Sequence, residues 1–95
     1  MTYDYLTRTV HMPEKYFRKD RHVRLSKMEN TIFYTMWLSK RGIGRLSDIY
    51  KRVYGDTNLT DQEKNNIART VWRMRKKGLE IKPIYKYGYQ LIEKD

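Results

Sequence analysis

The sequence predicts a small α+β domain: short antiparallel strands, then three helices, then a C-terminal β-hairpin. Three observations predict it. Two capping boxes open segments with an apolar stripe, and alternating apolar and polar residues flank them at both ends. The length of 95 residues fills one hydrophobic core and no second. The expected division is 1–25 for N-terminal strands, 26–78 for a three-helix core, and 79–95 for the hairpin and tail. The chain is 34% charged, yet 39% hydrophobic and 14% aromatic. Disordered chains lack such aromatic and branched apolar content, so the charge belongs to a folded surface. Nine tyrosines suit a small core with a wet rim, where a ring is buried and its hydroxyl kept in water.

Each element has its own signal. Residues 3–10 alternate loosely (Tyr3, Tyr5, then Leu6 and Val10) and predict a strand, ended by Pro13. Residues 15–18 and 22–25 predict two short strands around Lys19–Asp20–Arg21; in the second, Val23 and Leu25 share a face opposite His22 and Arg24. Ser26 with Glu29 three residues on is a capping box. From there Met28, Ile32, Phe33, Met36 and Trp37 recur at helical spacing, with Gly42 as the expected stop after Lys40 and Arg41. A short second helix is expected with Ser47 as its cap, carrying Ile49, Tyr50, Val53 and Tyr54 up to Gly55. After the loop Asp56–Leu59, a second capping box, Thr60 with Glu63, opens a third helix over 61–77. Residues 79–84 and 87–92 alternate around Tyr85–Lys86–Tyr87–Gly88 and predict the closing hairpin.

The charge balance bears on function. Twenty-one Lys and Arg against eleven Asp and Glu give a formal net charge of +10, and a polyanion relieves that self-repulsion. The third helix concentrates the signal. Ile67, Val71 and Met74 form its apolar stripe, with Gly78 closing the line, while Gln62, Asn65, Asn66, Arg69, Arg73 and Lys76 lie opposite. A solvated helix ordinarily mixes Glu among its basic residues. Here Lys64, Arg69, Arg73, Arg75, Lys76, Lys77, Lys82 and Lys86 face the single acid Glu80 over residues 64–86. Trp72 falls between the two faces by this reading. Cysteine is absent, so disulfides and thiolate metal sites are excluded. His11 and His22 are too few to hold a metal alone. No signal peptide or run of apolar residues of spanning length is present. A cytoplasmic, nucleoid-associated protein without membrane contact, metal or cofactor is the expectation. No enzyme is expected either: there is no His–carboxylate cluster and no Gly-rich phosphate loop.

Short strands, three helices and a basic hairpin follow in the order of a winged helix-turn-helix. Four stretches resemble one family, the OmpR/PhoB-type DNA-binding domain of bacterial response regulators. They are His22–Glu29 at the strand-to-helix junction, Asp48–Gly55 in the second helix, Val71–Lys77 at the end of the third, and Ile84–Leu91 in the hairpin, where Gly88 and Tyr89 form the most characteristic pair. The resemblance spans roughly residues 15–92. It implies an N-terminal sheet, a recognition helix in the major groove of double-stranded DNA, and a wing on the adjacent backbone. By position it puts Arg69 and Thr70 in the middle of the recognition helix, Arg73 and Arg75 in its later turns, and Lys86 on the wing. It also implies a tandem dimer on DNA as one mode of binding, and RNA polymerase or another protein as a further partner. The short Asp56–Leu59 segment departs from the family's longer polymerase-contacting loop, Gly78 stands where an apolar residue is usual, and a standalone domain without a phosphoacceptor receiver is expected.

The expected division of labour follows from chemistry. Asn65, Asn66, Arg69 and Arg73 have the amide and guanidinium groups that pair with adenine and guanine edges. Gln62, Thr70, Lys76 and Lys77, with Tyr85, Lys86 and Tyr87 on the wing, are expected at phosphates or the minor groove. Among these residue types some have purely structural readings. Arg75 can lie along the core edge and pair with Asp48, and Tyr89 can anchor the wing to the core. A different class of function also fits the pattern: a winged-helix adaptor or inhibitor docking on an acidic protein through Trp72 and the tyrosines of residues 3–16. RNA binding lacks an aromatic pair on adjacent strands to support it.

Overall fold

The computed structural model of the chain describes residues 1–13 and 19–92; the strand expected at 15–18 lies outside the described residues. The chain opens with a hairpin of β1 (Thr2–Asp4) and β2 (Thr9–Met12). One strand was expected over 3–10, but Asp4 breaks it. Its Oδ1 accepts the backbone N–H groups of Leu6 at 2.9 Å and Thr7 at 3.3 Å, an Asx turn that reverses the chain. Arg8 then takes φ +56°. The third strand, β3 (Arg21–Arg24), pairs antiparallel with β2, setting Val10 opposite Val23 and His11 opposite His22. Val10 and Val23 are buried, and the two imidazoles stack on the other face at 4.6 Å between ring centroids. The order of this sheet is β1-β2-β3.

Helix α1 (Lys27–Trp37) begins as its capping box requires. Glu29 N–H donates to Ser26 Oγ at 3.3 Å, and Ser26 N–H donates to Glu29 Oε1 at 2.7 Å. Ile32, Phe33 and Met36 are fully buried. The helix stops at Leu38, short of Gly42. Lys40 and Arg41 therefore lie beyond it, because the chain has to leave the helix to form β4 (Ile43–Arg45). That strand was not expected. Its three residues offer one apolar side chain and no period.

Helix α2 (Leu46–Tyr54) starts at Arg45 rather than Ser47, with no side-chain cap. Its first donor, Leu46 N–H, goes instead to Tyr87 O in the distant hairpin at 2.8 Å. Gly55 ends the helix as expected. Helix α3 (Asp61–Lys76) carries the second capping box, with Glu63 N–H to Thr60 Oγ1 at 3.1 Å and Thr60 N–H to Glu63 Oε1 at 2.9 Å. The closing hairpin is β5 (Ile81–Ile84) and β6 (Gly88–Leu91), joined by Tyr85–Tyr87 with Lys86 at φ +55°. β6 is central in a second sheet of order β4-β6-β5. Gly88 permits that pairing, since a Cβ there would collide with the Gly44 carbonyl oxygen.

Helix α1 lies at the centre, touching α2, α3, β4 and β6. The N-terminal sheet is fastened to it by Tyr3, whose ring sits 4.5 Å from Phe33 and 5.6 Å from Trp37 between centroids. The Tyr3 hydroxyl donates to Asn30 Oδ1, and Asn30 Nδ2 donates to Tyr5 O at 3.2 Å. Burial pushes the Tyr3 phenol well above its usual range, as expected for a ring held in a low-dielectric seam. Among the described residues three helices and two small antiparallel sheets thus form a small α+β domain, in an order compatible with a winged helix. Among the described residues no helix is long and apolar enough to cross a membrane.

Candidate nucleic-acid interface

Helix α3 is amphipathic in an unusual way. Ile67, Val71 and Met74 turn inward and are buried, as their spacing predicted. Outward, Asn65, Arg69, Trp72 and Lys76 succeed one another at i, i+4, i+7 and i+11, which places them on one stripe. Gln62 and Arg73 flank that stripe, and all six side chains are exposed. Asp61 and Glu63 sit in the first turn, where they favour the positive end of the helix dipole. No acid follows them along the helix. Trp72 was expected between the faces and instead stands on the outer one, 56% exposed. The Lys76 ammonium lies 5.0 Å from its ring centroid, a cation–π contact that keeps both groups at the surface.

Three expected contact residues are placed differently. Thr70 is fully buried. Its hydroxyl donates to Asn66 O at 2.7 Å and accepts from Arg73 Nη2 at 3.0 Å, so from this position it reaches no phosphate. It holds one nitrogen of the Arg73 guanidinium, whose side chain is otherwise exposed. Asn66 is half-buried, its amide 3.4 Å from the Tyr54 hydroxyl, and so has less free surface than Asn65. Lys77 turns back onto the fold. Its ammonium donates to Glu29 Oε1 at 2.6 Å and to Arg24 O at 2.9 Å. Burial alone would raise the Glu29 carboxyl, but hydrogen bonds from Lys77 and Ser26 and the Lys77 charge outweigh it. The net shift is downward, and the carboxylate stays ionised inside the fold.

The hairpin tip carries a second cationic and aromatic group. Tyr85 is 85% exposed, with Lys86 Nζ 5.3 Å from its ring centroid. Tyr87 is exposed, and Arg45 Cζ lies 5.8 Å from its centroid. Arg45 was not foreseen at this tip, because β4, which brings it there, has no signature of its own. Tyr89 is half-buried against the core, and burial raises its phenol, as its anchoring role requires. No ion pair joins Arg75 to Asp48; Arg75 is exposed. Among the described residues no three His, Cys, Asp or Glu are grouped to hold a metal.

Two surfaces thus stand out chemically. The outer face of α3 has guanidinium and amide groups suited to base edges and phosphates, and the hairpin tip has cations resting on tyrosine rings. Comparison with protein-family models, curated proteins and solved structures returned no match.

Proposed function

We propose that the chain is a sequence-specific, double-stranded DNA-binding transcription regulator of the winged-helix class, with α3 in the major groove and the β5–β6 hairpin as the wing. The observation that carries this reading is the outer face of α3. Five polar or cationic side chains suited to nucleic acid (Gln62, Asn65, Arg69, Arg73 and Lys76) are exposed together with no acid after the first turn. A helix fits the major groove, where Arg pairs bidentately with guanine and Asn or Gln with adenine, each pair worth about 1–3 kcal/mol of discrimination. The N-terminal part of such a helix reaches deepest, so Asn65 and Arg69 read bases. Arg73 joins them with a guanidinium steadied by Thr70, and Lys76 holds phosphate. Tyr85, Lys86 and Tyr87 lie along the backbone or minor groove, where Lys86 supplies charge. A tandem pair on a direct repeat is the mode the family resemblance favours.

One observation favours a second reading, a protein–protein adaptor. Trp72 and Leu6 are exposed at 56% and 89%, and exposed large apolar side chains are typical anchors of protein interfaces. The two readings separate in one titration. The wild-type chain and Arg69→Ala/Arg73→Ala are mixed with random and selected duplexes at two salt concentrations. The DNA reading predicts binding whose log affinity falls with log salt at a slope of about −5, and loss of preference for the selected duplex in the double variant. Equal weak binding by both proteins, without salt dependence, favours the adaptor.

A further inference from the structure

The outer stripe of α3 has one member that the proposed hydrogen bonds to bases and phosphates leave unused. Asn65, Arg69 and Lys76 present amide, guanidinium and ammonium groups, and the indole of Trp72 stands among them. At about 100° per residue, Trp72 falls about 20° from Asn65 and about 40° from Lys76 around the helix axis. It therefore faces whatever the polar members of the stripe face, on the side away from the buried Ile67, Thr70, Val71 and Met74. Trp72 is 56% exposed. The Lys76 ammonium, 5.0 Å from its ring centroid, sits over one face and leaves the indole at the surface. One turn earlier comes Ala68, also exposed, so the neighbour on the N-terminal side is a small apolar residue and not another long polar one. Such a ring gains by burial only where it meets another apolar group. The major-groove edges of the bases are donors and acceptors, and the apolar group among them is the C5-methyl of thymine.

We infer that Trp72 is a specificity-determining residue that packs on a thymine C5-methyl in the major groove. The inference rests on the DNA reading proposed above and adds an apolar contact to its polar ones. Trp72 lies three residues beyond Arg69, about 4.5 Å along the helix at 1.5 Å per residue. With about 3.4 Å between successive base pairs, the thymine stands within about two pairs of the base that Arg69 reads. A contact to the methyl distinguishes thymine from cytosine at that position, and it distinguishes a T·A pair from an A·T pair, because the methyl changes strand. Asn65 and Arg69 keep their donors for hydrogen bonds.

The test crosses two proteins with two forms of one DNA. The wild type and Trp72→Ala are titrated with the duplex that the wild type selects from a random pool. They are also titrated with copies in which single thymines are replaced by deoxyuridine, which removes the methyl group alone. At one thymine near the Arg69-read base the wild type is expected to lose about fourfold in affinity, the worth of one buried methyl. Trp72→Ala should bind the thymine and uracil copies equally at that position, and Trp72→Phe, which keeps a ring, should restore part of the discrimination. Trp72→Ala also releases Lys76, but that change weakens both copies alike and cancels in their ratio. Thermal melts check that the variants fold, and the uracil series on the wild type needs no variant. Three results would overturn the contact while leaving α3 as the reading helix: no loss on any uracil substitution, the same losses in wild type and Trp72→Ala, or a selected duplex without thymine near that base. A wild type that selects no sequence at all would overturn the α3 reading and this contact with it.

Discussion

Helices α1 and α3 begin with the same device and end in opposite surroundings. Ser26 with Glu29 and Thr60 with Glu63 satisfy the same orphan backbone groups through the same reciprocal bonds. In α1 the boxing glutamate is 1% exposed and paired with Lys77, which caps the C-terminal end of α3. In α3 it stays near solvent and serves its own helix start alone. The bodies differ in the same way. The burial of α1 reaches Glu29, Asn30, Ile32, Phe33, Thr35 and Met36, whereas that of α3 is confined to a stripe. A local motif therefore fixes where a helix starts. Its neighbours decide whether the helix is a core element or a working surface.

Substitutions can break this contrast, and the largest expected effect is in the core of α1. Phe33→Ala should cost about 3–5 kcal/mol in chemical denaturation, from lost burial and the cavity left behind. Arg69→Ala, on the outer face of α3, should stay within about 0.5 kcal/mol of wild type. A comparable loss in both would mean that α3 also uses its outer face for stability.

Next in size is the bridge between the two helices. Lys77→Met leaves the Glu29 carboxylate buried with only Ser26 to hold it. Because the Lys77 side chain is 38% exposed, solvent screening trims the loss of a fully buried partner, about 3–5 kcal/mol, to about 2–3 kcal/mol at neutral pH. The sign with pH follows from the downward shift at Glu29. A carboxyl whose folded pKa is depressed stabilises the fold above its unfolded value, near 4.5. That contribution is lost as pH falls below this value through the folded one. The gap between wild type and Lys77→Met should therefore narrow in acid, as denaturation curves at pH 7 and pH 3 would record. A gap independent of pH would assign Lys77 a packing role instead.

The smallest effect is at the free capping box. Thr60→Ala should cost about 1 kcal/mol and fray the first turn of α3, visible as faster amide exchange at residues 61–63. Because Asn65 follows in the next turn, this variant should also blur base preference without removing any residue proposed to contact DNA.

What the sequence made legible was local. Both capping boxes, the Gly55 stop and the hairpin around Lys86 were readable because each is written in a few adjacent residues. The inward stripe of α3 was readable from its period. Trp72 was expected between the faces, although the spacing that sets Arg69 and Lys76 on the outer stripe sets Trp72 there as well. Other features depend on partners far along the chain. Leu46 is capped by Tyr87, Lys77 is drawn to Glu29 across 48 positions, and β4 exists only because β6 receives it. Thr70 was expected at the DNA because the family resemblance puts it in the middle of the recognition helix. Its burial follows from the packing of α3, and the hydroxyl is satisfied locally by Asn66. The Asx turn at Asp4 was local and was still missed, hidden inside an apolar alternation.

The most direct test of the central claim is selection of duplexes from a random pool by the wild type and by Asn65→Ala/Arg69→Ala, followed by sequencing. The wild type should enrich a shared motif. The variant should lose preference at the two or three positions that these side chains read, while its binding to random duplex weakens by less than its binding to the motif. No enriched sequence for the wild type, or the same motif from both proteins, would contradict the assignment of α3 as the reading helix.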